Sequence, residues 1–315
     1  PRGYAPTHVN LTHRNWTSVG LPEFPLYPLV DPRGLITPFY DGWSLEFVPV
    51  SVDGRLLLPS KLDEVEQNLV MNTGLAVLTS ASMDSLRVDS KVEMAVRKGE
   101  PFLEISVEAH CGPGGKLAVS LRPYNPEGIQ FVENIKVHKD GGGWKIDRAD
   151  LRFRRNPDEI ALSNYRNGDV LTHSGTAAKD KISCEIGMAT AAAYFNAGTN
   201  GSASVEIEIP LTPDLKKHYR NFAVRSGGWD ETLASSARLK LADERIQFLF
   251  EAAKRTLVLL SAHEIYPGPF TYRRFWFRDA VIMGNAILAL NLVDRVERHI
   301  RAFPERQHND GYFES

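Results

Sequence analysis

LEISVEAH, the stretch of residues 103–110, alternates apolar and polar side chains without interruption. A period of two sends successive side chains to opposite faces of a β-strand, so one face of this strand can pack on a core while the other meets water. The same alternation recurs in three further runs, at 86–96, 117–121 and 203–209. The middle of the chain is therefore predicted to be all β.

Turn-forming residues separate these runs. They occur at 53–54, 112–115, 125–128 and 141–143. Strands with one polar face, joined by Gly- and Pro-rich turns, are typical of antiparallel sheets that pack one face on a core. We expect a large two-sheet antiparallel sandwich over residues 40–210, with no long helix in it, within a β-sandwich domain of residues 1–220.

After Pro210 the period changes. Apolar residues between 246 and 260 recur every three or four positions, which predicts a continuous helix over 242–260 of about five turns. Its apolar stripe is expected to face inward and consists of Ile246, Leu249, Phe250 and Leu257. This helix belongs to a linker region that we assign to residues 221–265.

Two shorter helices follow, at about 279–290 and 292–303, with a tight connection at Asn291 that predicts an αα-hairpin. The second helix is expected to bury one side and expose the other. The expected buried side carries Leu292, Val296, Ile300 and Phe303, and the exposed side carries Asp294, Arg295, Glu297 and Arg298.

Composition excludes several classes of function. The 37 Lys and Arg residues balance 39 Asp and Glu residues, so no basic face favours nucleic acid. The longest apolar run, 280–290, is too short to span a membrane, and no leader pattern opens the sequence. Cys111 and Cys184 are expected to be buried free thiols, and His8 with His13 to be exposed loop residues, so no metal site is predicted. The compartment stays open, with the cytoplasm slightly favoured.

The loop before the hairpin has an unusual composition. Residues 272–280, YRRFWFRDA, contain four aromatic residues, three arginines and one aspartate. Aromatic rings stack on the C–H faces of a pyranose, and Arg and Asp make charge-assisted hydrogen bonds to its hydroxyls. In the alternative interpretation, Phe275 and Phe277 are core, Arg278 and Asp279 form an ion pair, and Asp279 caps the following helix.

The segment Phe275-Trp-Phe-Arg-Asp-Ala280 resembles the glucoamylase-type six-hairpin glycosidases. In that family a large β-sandwich precedes a linker helix and an (α/α)6 barrel, and a Trp-x-Arg-Asp motif lines the subsite for the non-reducing-end sugar. Two other segments, LRPYNPEG at 121–128 and QHNDGYF at 307–313, are similar to segments of this family. The order of the elements along this chain is also the same.

The resemblance implies a mainly β, then α fold: a large antiparallel β-sandwich, a linker helix, and the first αα-hairpin of an (α/α)6 barrel at 266–315. It implies that Arg278 and Asp279 bind hydroxyls in subsite −1, that Trp276 shapes the pocket, and that Asp310 lies at the same barrel mouth. Tyr272 and Arg274 would support these residues. The partner would be an oligosaccharide or polysaccharide, and no cofactor is implied.

The catalytic glutamates of the family come from later barrel loops. Neither Glu305 nor Glu314 holds such a position, so we assign no catalytic residue and expect this chain alone to be inactive, as a fragment of an inverting glycoside hydrolase acting on α-glucan or related oligosaccharides. A disaccharide phosphorylase and an amylo-1,6-glucosidase-type debranching enzyme share the same architecture. A non-catalytic carbohydrate-binding module, with the sandwich as the working part, is the alternative from another class.

Overall fold

The computed structural model describes residues 16–72, 74–172, 180–213 and 228–313. His8 and His13 lie outside the described residues. The chain divides into two compact units. The sandwich unit comprises Pro1–Val19, Pro28–Val70 and Ala76–Arg220, and the helical unit comprises Gly20–Tyr27, Met71–Leu75 and Asn221–Ser315.

Two antiparallel sheets build the described part of the sandwich unit. The seven-stranded sheet contains, in order across the sheet, β1 Thr17–Ser18, β2 Leu29–Val30, β3 Ile36–Thr37, β4 Ser44–Val50, β9 Lys116–Arg122, β17 Thr190–Asn196 and β15 Glu159–Ser163. The nine-stranded sheet contains β16 Lys181–Ser183, β12 Asn134–Val137, β13 Gly143–Ile146, β14 Ala149–Phe153, β18 Ser202–Pro210, β8 Glu100–His110, β7 Leu86–Arg97, β6 Ala76–Met83 and β5 Glu66–Val70. A small hairpin pairs β10 Tyr124–Asn125 with β11 Gly128–Ile129.

The core lies between the two sheets, where β4 and β9 pack against β7, β8 and β18. Along β8, Leu103, Ile105 and Val107 are almost completely buried, while the residues between them are partly or fully exposed. The period-two prediction is confirmed, and no helix interrupts residues 86–121. Cys111 and Cys184 are buried free thiols, as expected.

A buried ionic cluster spans the middle of the seven-stranded sheet. The Arg122 guanidinium is fully buried and lies 3.2 Å from Glu46 and 2.5 Å from Asp169, both of which are also buried. Charges removed from water are tolerated only when they are paired and hydrogen-bonded. The three residues therefore depend on one another, although they lie far apart in the sequence.

Four α-helices form the described part of the helical unit, α1 Trp229–Ala234, α2 Glu244–Leu259, α3 Phe277–Ala289 and α4 Val293–Arg301. The predicted long helix is confirmed as α2. Asp243 caps it, because its carboxylate accepts hydrogen bonds from the amides of Arg245 at 2.9 Å and Ile246 at 3.0 Å. None of the described helices is long and apolar enough to cross a membrane.

The prediction for the buried face of α2 is wrong for Ile246 and Leu249, whereas Phe250 and Leu257 are half-buried. Ile246 and Leu249 are 53% and 56% exposed, and the buried residues of the helix are instead Lys254, Val258 and Leu259. Periodicity identifies a stripe that could be buried but not the segment that covers it. In this unit segments 20–27 and 71–75 contact the C-terminal half of the helix. Gly20 lies against Leu259, and Arg255 donates to the carbonyl of Met71 at 2.8 Å.

The αα-hairpin is confirmed, and Asn291 makes its turn with a left-handed φ of 61°. The prediction of which side of α4 is buried is wrong in part. Ile300 is exposed, whereas Arg295 is buried, because its guanidinium donates to the carbonyls of Val258 at 2.9 Å and Pro22 at 3.0 Å and pairs with Glu23 at 2.5 Å. Because both terminal nitrogens of its guanidinium are hydrogen-bonded, this arginine can be a core residue.

Candidate carbohydrate-binding site

The arginine- and aromatic-rich motif occupies the loop between α2 and α3 and the first turn of α3. Trp276 is the N-cap residue, with extended backbone, and no side chain caps the helix. Asp279 is therefore not the helix cap. It lies in the first helical turn, where a negative charge interacts favourably with the helix dipole.

Arg278 and Asp279 lie 3.5 Å apart as an ion pair on the surface of this turn, with side chains that are 77% and 27% exposed. Asp279 is the more enclosed. Its buried Oδ2 atom is the one that faces Arg278, and it accepts no hydrogen bond from the described residues. Neither residue lines the cleft described next. The sequence thus correctly anticipated their ion pair, and their proposed contact with sugar remains a prediction.

An open cleft of about 640 Å³ lies beside Trp276. It is lined by Arg274, Phe275, Trp276, Glu305, Arg306, Gln307 and His308. The first three residues come from the motif loop, and the last four come from the 3₁₀ turn Phe303–Arg306 and the residues after it. The cleft is therefore built by the two ends of the αα-hairpin.

Beneath the cleft, aromatic rings form a packed cluster. Phe275 is buried and contacts Phe277 edge-on at 4.7 Å, His299 at 5.1 Å and Phe303 at 5.8 Å between ring centroids. Burial in this cluster lowers the pKa of His299 to about 4, because its surroundings disfavour the imidazolium. The expectation that Phe275 is core is confirmed, and Phe277 is half-buried.

Trp276 is half-buried and held between two neighbours. The guanidinium of Arg274 lies 4.8 Å from the indole centroid, and the ring of Tyr272 meets it edge-on at 5.7 Å. A cation over an indole face is attracted by the ring quadrupole, which fixes the orientation of both groups. Trp276 thus presents a positioned aromatic surface at the cleft wall.

Arg306 also lines the cleft and is held in place by two neighbours. Its guanidinium lies 4.1 Å from the Phe275 ring centroid and forms an ion pair with Glu264, which also accepts a hydrogen bond from the Tyr266 hydroxyl at 2.9 Å. This arginine is stacked and paired at once, so its position is well determined. Arg306 therefore helps to shape the cleft, while its positive charge is balanced by Glu264.

Asp310 lies outside the cleft, in a tight turn next to it. Its carboxylate accepts a hydrogen bond from the amide of Tyr312 at 3.1 Å, and Gly311 follows with a φ of 87°. Gln307 closes the turn by donating to the carbonyl of Gly311 at 3.0 Å. In this structure the Asp-Gly pair acts as a turn that positions Gln307 and His308.

Four cleft residues were not singled out in the sequence as sugar ligands: Glu305, Arg306, Gln307 and His308. The available signal was their position immediately after the αα-hairpin, which returns the chain to the start of α3. Among the residues that the structure describes, no group of three or more His, Cys, Asp or Glu side chains could hold a metal ion.

No protein-family model matches the chain, and no curated protein sequence matches it. Among solved structures, a bacterial glucoamylase in complex with acarbose matches with a TM-score of 0.65 and 15% identity, over 98% of this chain and 53% of the glucoamylase. A family GH92 α-mannosidase from Bacteroides thetaiotaomicron matches with a TM-score of 0.37 and 10% identity, over 78% of this chain and 39% of the mannosidase. The glucoamylase match alone shows that this chain has a glycosidase-like fold, and the chain spans about half the length of that glucoamylase.

Proposed function

We propose that this chain is part of a glycoside hydrolase that acts on α-glucans or related oligosaccharides by inverting hydrolysis. Its fold is shared along nearly its whole length with a glucoamylase. On this proposal the sandwich unit precedes an (α/α)6 barrel, and α3 with α4 is the first hairpin of that barrel. The fold alone does not select a substrate, so the argument rests on the site.

The observation that carries the proposal is the open cleft beside Trp276. It combines a positioned indole with two guanidinium groups, a carboxylate, a carboxamide and an imidazole. Sugar recognition needs this combination, because a pyranose has apolar C–H faces and a rim of hydroxyls that both donate and accept hydrogen bonds. An open cleft also admits a chain of sugar units.

Arg278, Asp279 and Asp310 remain part of the proposal as substrate ligands together with Trp276. Asp279 supports this role, because its buried Oδ2 atom lies 3.5 Å from Arg278 Nη2 but accepts no hydrogen bond from a described residue. Arg278 is exposed and follows Trp276 by two residues, and on this proposal it contacts a ligand that extends past the cleft. Asp310 is exposed in the turn that leads into the cleft wall.

We assign no catalytic acid or base to this chain. Inverting hydrolysis requires one carboxylic acid to protonate the leaving oxygen and one carboxylate to activate water across the scissile bond. The described carboxylate of the cleft wall, Glu305, has no facing partner of that kind among the cleft residues. The chain by itself is expected to bind sugar without hydrolysing it.

The experiment that tests binding is a calorimetric titration of the intact chain with maltotriose and with acarbose. Trp276→Ala removes the stacking surface and should weaken binding by about tenfold or more. The control is Tyr165→Ala, which removes an exposed aromatic residue of the sandwich unit. Binding that depends on Tyr165 and not on Trp276 would instead favour a carbohydrate-binding module that acts through the sandwich.

A disaccharide phosphorylase and a debranching enzyme of the amylo-1,6-glucosidase type remain the other candidates of the same architecture. A phosphorylase replaces the attacking water by phosphate. Release of glucose from maltooligosaccharides without phosphate, measured on a longer protein that contains this chain, would support the hydrolase. Release only from a 1,6-branch would support the debranching enzyme.

A further inference from the structure

Two charged side chains of the cleft have no ionic partner among the described residues. Three arginines around the hairpin are paired with carboxylates: Arg278 with Asp279, Arg301 with Glu297, and Arg306 with Glu264. The guanidinium of Arg274 lies over the indole of Trp276, and neither it nor the Glu305 carboxylate forms an ion pair with a described residue. Both side chains are exposed on the cleft walls.

Their chemistry is complementary. A guanidinium stacked on an aromatic face keeps its N–H donors at the edge free for oxygen acceptors. A carboxylate offers only acceptors. A ring with neighbouring hydroxyls can accept from Arg274 and donate to Glu305, and each such charge-assisted bond is stronger than a neutral one.

We infer that Arg274 and Glu305 determine which ligand the cleft takes, and that they select an uncharged polyhydroxylated ring over an acidic one. This inference rests on the proposed function of the cleft. Because Arg306 is neutralised by Glu264, the uncommitted charges of the cleft are one positive and one negative, which cancel. The carboxylate of an acidic sugar is attracted by Arg274 and repelled by Glu305. It also replaces a hydroxyl group that could donate a hydrogen bond to Glu305.

The test uses methyl α-glucoside and methyl α-glucuronide, which differ only in a hydroxymethyl or carboxylate group on the ring. Their binding to the intact chain is measured by ligand-observed NMR titration, which reaches weak affinities. The wild type should bind the glucoside more tightly. Glu305→Gln and Arg274→Gln should each weaken glucoside binding by about tenfold.

For the glucuronide, the two variants should change affinity in opposite directions. Glu305→Gln leaves the positive charge of Arg274 unopposed and should strengthen binding about two- to fivefold, whereas Arg274→Gln should weaken it by a similar factor. Arg274→Lys keeps the charge without the planar fork, so it should retain glucuronide binding better than Arg274→Gln. A purely structural role of either residue would not produce opposite signs.

Glu297→Gln and Arg301→Gln are the matched controls, because they form an exposed ion pair on α4 outside the cleft. They should leave both affinities unchanged. A wild type that binds glucoside, with cleft variants that behave like these controls, would overturn the inference and leave the proposed function standing. A wild type that binds neither glycoside nor maltotriose would overturn both.

Discussion

Replacing Asp31 by Asn should stabilise the sandwich unit at neutral pH and not in acid. Asp31 is buried, and burial, assisted by the negative charge of Glu46, raises its pKa from 3.8 to about 6. Its Oδ1 atom accepts both of its backbone hydrogen bonds, from Arg33 and Leu35 at 2.8 Å each. An asparagine carbonyl can accept the same two bonds without a charge.

The magnitude follows from proton linkage. Below pH 3.8 the carboxyl is protonated in the folded and the unfolded chain, so its contribution is fully present. As the pH rises from 3.8 to about 6, the unfolded chain ionises before the folded chain does. The free energy of unfolding therefore falls by about 3 kcal/mol, since each pKa unit corresponds to about 1.4 kcal/mol. The advantage of Asp31→Asn should therefore grow from about zero near pH 3.5 to about 3 kcal/mol near pH 7.

The assay is urea unfolding at several pH values, followed by far-ultraviolet circular dichroism of the sheets. Asp140→Asn is the control, because Asp140 is exposed and its pKa is lowered by hydrogen bonds from the Gly142 amide and Arg152. Asp140→Asn should lower the free energy of unfolding at pH values above the pKa of this carboxyl, which is the opposite of the effect expected for Asp31→Asn. An equal effect of Asp31→Asn at both ends of the pH range would refute desolvation as the cause.

Two further changes test buried charge. His299 has a pKa lowered to about 4 by burial, so the helical unit should lose about 3 kcal/mol as the pH falls from about 6.5 to about 4, where the unfolded chain takes up the proton first. His299→Phe should remove that dependence in thermal melts, and a variant that keeps the slope would contradict it. Arg122→Met should cost about 3–5 kcal/mol in urea unfolding, because Glu46 and Asp169 stay buried without their cation. An unchanged midpoint would show that the cluster is dispensable.

The sequence by itself determined the local elements. The alternation at 103–110 predicted β8 and its buried face, the three-to-four spacing after 246 predicted α2, and the break at Asn291 predicted the αα-hairpin. These features depend on side chains that are near neighbours along the chain, so their period is visible in any single sequence. The motif around Trp276 also marked the loop that forms one wall of the cleft.

Only the tertiary structure decided which faces are buried and which side chains meet. Arg295 looked like a surface residue until Glu23, 272 positions away in the sequence, was found beside it, and Ile246 looked like core until its face was found uncovered. Glu305 joined Trp276 in one cleft because the hairpin folds the chain back on itself. Periodicity shows which face of a helix or strand could be buried. The segment that covers this face is determined by contacts between residues far apart in the sequence, and these leave no pattern in the local sequence.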